Sequence, residues 1–157
     1  MGGQESFEVE HFRPRNKFPQ LDCVYSNLYY ACRKCNAHKS DTWPSDELMA
    51  RGMQFADPCV GDPYVQDLKE EADGSVKGIT PSGAYTTAHI RLHREDVNRW
   101  RRLRAQARKD IPVFTVLIGS LEQLRLVALD PGRGEIDAQI EALNRYIADA
   151  RNRFVID

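Results

Sequence analysis

The chain has 157 residues, with 22 Lys and Arg against 23 Asp and Glu and a formal net charge of −1, a length suited to one domain with a buried core. No apolar run reaches the roughly eighteen residues of a membrane span, and Met1-Gly2-Gly3-Gln4-Glu5 lacks the apolar centre of a secretion signal. These features argue against a membrane protein and lead us to expect a soluble, cytoplasmic one.

Charge is unevenly spread. Between Ala88 and Lys109 there are eight basic residues (Arg91, Arg94, Arg99, Arg101, Arg102, Arg104, Arg108, Lys109) against Glu95 and Asp96, a local excess of six. Such a stripe is either a solvated helix face or a contact for nucleic-acid backbone. All 4 cysteines (Cys23, Cys32, Cys35, Cys59) fall before residue 60. Without a secretion signal, Cys32-Arg33-Lys34-Cys35 reads better as metal-binding than as a structural disulfide.

In chain order, Ser6-Phe7-Glu8-Val9-Glu10 alternates apolar and polar residues and predicts a short strand with Phe7 and Val9 inward. Pro14 and Pro19 bracket a loop. Val24 to Ala31, interrupted at Asn27, predicts a turn and a second strand, with Leu28 and Tyr30 joining Phe7 and Val9 in the core. A helix is expected from Cys32 or Arg33 to about Asp41, before Pro44. Residues 44–64 read as loop with a helical turn from Ser45 to Arg51, Ser45 capping it. Tyr64–Leu68 and Val76–Ile79 flank Asp73-Gly74 as a hairpin.

The second half is helical. Tyr85–Leu92 and Glu95–Asp110 read as consecutive helices broken near His93, with Trp100 and Leu103 inward and Arg99, Arg101, Arg102 and Arg104 outward. A further helix follows Asp110 and Pro112 to about Ala128, with Val113, Leu117, Leu121, Leu124 and Leu126 as its apolar contacts. Asp130-Pro131-Gly132 ends it. Glu135–Phe154 carries Ile136, Ile140, Leu143, Ile147 and Ala150 at helical spacing.

The chemistry-bearing letters are Glu10-His11-Phe12-Arg13-Pro14-Arg15, then Asn27, then Cys32-Arg33-Lys34-Cys35-Asn36-Ala37-His38-Lys39. Together they resemble the HNH nuclease family, built on a ββα-metal motif, and in particular bacterial members that pair E-H-F-R-P-K with C-x-x-C-N-x-x-K. Asn27 and Asn36 stand nine residues apart, as in the HNH domains of RNA-guided CRISPR nucleases and colicin DNases. The resemblance is close over residues 6–41 and loose beyond.

It implies an α+β single domain over 1–157: a ββα-metal core at 6–41, loop and hairpin at 42–84, and a helical cap at 85–157. It implies a metal-dependent endonuclease that hydrolyses DNA, most simply double-stranded, and a place in bacterial defence. Glu10 and Asn36 would be the ligands of one Mg²⁺ or Mn²⁺ ion. His11 would be the general base acting on a metal-polarised phosphate, Asn27 would hold the His11 ring, and Lys39 would meet the scissile phosphate. Arg13, Arg15 and Lys39 are the candidate nucleic-acid contacts.

Cys32 and Cys35, with Cys59 and Cys23, are candidate ligands of a structural Zn²⁺; three cysteines with an outside ligand, or no zinc, are equally allowed. Two other functions compete with cleavage. One is a zinc-stabilised nucleic-acid-binding module that does not cut. The other is a nuclease subunit silent until a regulatory partner arrives, with the apolar helices after Asp110 as an oligomer interface.

Overall fold

The computed structural model describes residues 7–154 and has an α+β fold. The chain gathers into two compact units, residues 1–98 and 99–157.

The first unit begins with an antiparallel pair, β1 (Phe7–His11) and β2 (Leu28–Cys32), in register Val9 to Tyr30 and His11 to Leu28. Two short 3₁₀ turns, Pro19–Leu21 and Tyr25–Asn27, occupy the connection, so the second strand begins only after Asn27. Helix α1 (Arg33–Lys39) follows β2 directly, with Cys32 as its cap: the Cys35 amide donates to Cys32 Sγ. It stops two residues short of Asp41 because Ser40 takes a φ of 46°, outside the right-handed helical region. Ser45 caps α2 (Asp46–Ala50) by accepting the Leu48 amide, as expected.

The strand pair faces the other way from the expectation. Phe7 (64% exposed), Val9 and Tyr30 (81%) lie on the open face, while Glu8 and Glu10 turn toward α1, and Leu28 is half-buried. Alternation alone identifies two faces and assigns neither to the core. Here α1 brings Asn36 to Glu8 and Lys39 to Glu10. The carboxylates find hydrogen-bonded partners inside, and that compensates their removal from water.

The core of this unit is an aromatic chain instead. Phe12 meets Tyr29 and Trp43, Phe18 packs edge-on against Trp43, and Phe55 links Trp43 to Tyr85 and His89, with centroids 5.0 to 6.4 Å apart. These residues are scattered between 12 and 89 and belong to no periodic run.

Pro63–Gln66 form a helical turn, α3, capped by Asp62, so that Tyr64, Val65 and Gln66, expected as strand, are helical. The hairpin is shorter: β3 (Leu68–Glu70) pairs with β4 (Val76–Gly78) across a turn in which Gly74 has a φ of 78°. Thr80 caps α4 (Pro81–Ile90), which starts four residues earlier than expected. A Cβ on Gly83 would come within 1.9 Å of the Asp67 carbonyl oxygen, so only glycine lets α4 lie this close to the hairpin.

The anticipated break near His93 is present, with Arg91 left-handed at the end of α4. Helix α5 (Glu95–Val127) then runs unbroken through Pro112, where two helices were expected. Proline removes one helical hydrogen bond; the packing of Ala107, Ile111, Phe114 and Ile118 on either side of it offsets that loss. Helix α6 (Gly132–Phe154) starts three residues early and contributes Ile147, Ala150 and Phe154 to the same core, with Ile136 also buried.

Two further expectations fail in α5. Val113, Leu117, Leu124 and Leu126 are exposed rather than core contacts. Arg101 is buried (4% exposed) rather than on the outer face, and Leu103 is half in solvent, whereas Trp100 does pack on Phe154 at 5.5 Å. No described helix is long and apolar enough to cross a membrane.

Lys34 Nζ reaches Asp96 at 2.8 Å and ties α1 to the start of α5. That hydrogen bond holds the Asp96 carboxyl below its usual range. A depressed folded value means that stability is present above the ordinary carboxylate range and is lost as pH falls through the lower folded value. Asp96 is substantially solvated, so the contribution is below about 1 kcal/mol. Urea titrations of Lys34→Met should therefore show that small loss at neutral pH, and a shallower acid limb along which the variant and the unaltered chain converge.

Candidate active site

Strand β1 ends in Glu10 and His11 because its pairing with β2 stops at His11 opposite Leu28. Helix α1 crosses the Glu8–Glu10 face and presents Asn36 and Lys39, three positions apart and so on one side of the helix. Between them lies an open cleft of about 280 Å³ lined by Val9, Glu10, His11, Arg15, Asn36 and Asp41, among others. Four of the expected site residues, Glu10, His11, Arg15 and Asn36, thus share one cavity.

Glu10 is 7% exposed and forms an ion pair through Oε1 with Lys39 Nζ. Burial pushes its carboxyl above the usual value, and the hydrogen bond and charge of Lys39 pull it back only in part. Lys39 is itself 4% exposed, donates to the His11 carbonyl oxygen at 2.8 Å, and lies over the Phe55 ring at 5.5 Å. It was expected to meet a phosphate. Buried beneath the strand, it serves as counter-charge to Glu10.

His11 Nε2 lies 2.9 Å from the Asp22 carbonyl oxygen and 3.1 Å from Asp22 Oδ1. Both are acceptors, so in the neutral ring Nε2 is the nitrogen that carries the proton and Nδ1 has the lone pair. Asn27 was expected in this orienting position but does something else. Its Oδ1 accepts the Arg13 amide at 2.8 Å, and its Nδ2 donates to the carbonyls of Arg13 and Leu21 at 3.1 and 3.2 Å. Asn27 therefore staples the two ends of the loop that carries Asp22 back toward His11. It acts on the backbone, and Asp22 acts on the ring.

Asn36 Nδ2 donates to Glu8 Oε2 at 3.0 Å. With the amide nitrogen held, Oδ1 is the atom of Asn36 left to bind a cation or a donor. Glu8 and Asp22 are the two site residues that sequence reasoning missed. Glu8 had a usable signal, its place two residues before Glu10 on the same strand face. Asp22 had none, because it reaches His11 from an irregular loop.

Replacing Asn27 with alanine strands the Arg13 amide and the carbonyls of Arg13 and Leu21. The expected cost is about 1–3 kcal/mol, read as a lower urea midpoint with an unchanged slope.

Arg13 lies 5.7 Å from the Trp43 ring centroid and 5.8 Å from that of Phe18, stacked on the aromatic core rather than lining the cleft. Cys32 and Cys35 are half-buried, and Cys35 Sγ accepts from Arg94 Nη2 at 3.6 Å; Cys23 and Cys59 are exposed. Among the described residues, no three His, Cys, Asp or Glu side chains gather as a metal cage. The four cysteines are therefore not assembled as a tetrahedral set. Glu10 with Asn36 offers one carboxylate and one amide, a pair that suits an ion keeping most of its water.

The chain matches no protein-family model, no curated protein and no solved structure.

Proposed function

We propose that this chain is a metal-dependent endonuclease of the HNH type that hydrolyses DNA phosphodiester bonds. The observation that carries the reading is one open cleft lined by the Glu10 carboxylate, the His11 imidazole and the Asn36 amide. Glu10 meets the cleft with its carboxylate paired to the Lys39 ammonium.

Glu10 Oε2 and Asn36 Oδ1 would hold a Mg²⁺ or Mn²⁺ ion. Such an ion, when bound, polarises the phosphate and offsets charge on the departing 3′ oxygen. His11 Nδ1 takes the proton of the attacking water, a contribution of roughly 10²–10⁴ in rate. Asp22 keeps the ring in the tautomer that allows this and stabilises the imidazolium that results. Arg15, on the cleft wall, is placed to take a backbone phosphate. Nothing in this arrangement reads a base, so sequence preference is not built into the cleft.

The test is incubation of supercoiled plasmid with Mg²⁺, Mn²⁺ or EDTA, comparing the chain with Asn36→Ala. Nicking that needs the ion and Asn36 is expected. Salt-sensitive DNA binding with no nicking under either ion would instead favour a binding module that does not cut.

A further inference from the structure

Helix α5 carries two apolar stripes, and among the described residues only one is covered. Ala107, Ile111, Phe114 and Ile118 face the α6 residues Ile147, Ala150 and Phe154. Rotated by well over a right angle around the helix, Val113, Val116, Leu117, Leu124 and Val127 are all exposed, from 43% at Leu117 to 76% at Val127. With Ser120, the positions 113, 117, 120, 124 and 127 follow the alternating spacing of four and three that forms a helix-to-helix seam. A contiguous aliphatic stripe of this kind is uncommon on a surface with no partner.

The pattern itself selects the occupant. Val113 and Val127 stand seven residues to either side of Ser120, and Val116 and Leu124 stand four to either side. A two-fold axis through Ser120 therefore lays most of the stripe on an antiparallel copy of itself, valine on valine and Val116 on Leu124, with Leu117 opposite the uncharged Gln123 at its edge. No stripe position is charged, so two copies meet without repulsion and no oppositely charged partner is selected. Pairing would bury on the order of 1,000 Å² in total, at the lower end of specific interfaces.

We infer that this face of α5 is a homodimer seam, isologous and centred on Ser120. The inference is independent of the nuclease reading: a dimer that cuts no DNA would satisfy it.

Sedimentation velocity over a wide range of concentration tests it. The chain should approach twice its 18.0 kDa mass as concentration rises, and Leu117→Glu with Leu124→Glu should stay at the monomer mass with unchanged helical circular dichroism. Independently, Ser120→Cys should give more oxidised dimer on a non-reducing gel than the parent chain, whose exposed Cys23 and Cys59 set the background. A parent chain that stays monomeric throughout overturns the inference. So does a dimer that survives the double glutamate change, or a Ser120→Cys chain that cross-links no more than its parent.

Discussion

His11→Ala is expected to lower plasmid nicking by about 10²–10⁴-fold while leaving the fold intact. The imidazole is partly exposed in the cleft, and its only bonded partner among the described residues is Asp22. Removing it therefore strands little, and the loss should appear in the rate of cutting rather than in the urea midpoint. A parallel loss in Asp22→Asn, smaller in size, would follow from an amide that no longer stabilises the charged ring. Retained cutting by His11→Ala under Mn²⁺ would remove the base assignment.

The second large effect concerns stability. Lys39→Met leaves the Glu10 carboxylate buried beside no cation, and breaking a buried pair from one side costs about 3–5 kcal/mol. The sign of its pH dependence follows from Glu10, whose carboxyl is already pushed up by burial. Without Lys39 it rises further, so the penalty is full at neutral pH and is relieved as pH falls through that raised value and the carboxyl takes a proton. The parent chain, by contrast, loses its pairing with Lys39 as Glu10 protonates. Urea midpoints of the two proteins should converge toward acid pH. Adding Glu10→Gln to Lys39→Met should recover part of the loss at neutral pH, since the two side chains act as one unit.

The candidate site was legible in proportion to how local its chemistry is. Glu10, His11 and Asn36 were readable because a carboxylate beside an imidazole, and an amide after a C-x-x-C, announce their chemistry by residue type. Their convergence on one cleft needs only a strand pair and the helix that follows it. The roles of Asn27 and Lys39 were not readable in the same way. Both satisfy backbone or buried groups whose positions are set by the loop between residues 12 and 27 and by the direction in which α1 crosses the strands. Asp22 was invisible for the same reason.

The inverted strand face has a physical lesson. Phe7, Val9 and Tyr30 look like core because burying apolar surface is the usual default. The default fails when a helix supplies Lys39 and Asn36 as partners for the opposite, acidic face. In the helical half, the apolar periodicity after Asp110 was real, but it described two stripes. The sequence pattern alone could not tell the one that packs on α6 from the one left open.

Manganese in a crystal locates the ion itself. One anomalous peak per chain is expected between the Glu10 carboxylate and the Asn36 amide oxygen, lost in Glu10→Gln. An ion absent from the cleft, or held only at the cysteines, in protein that nicks plasmid at the same manganese concentration would contradict it.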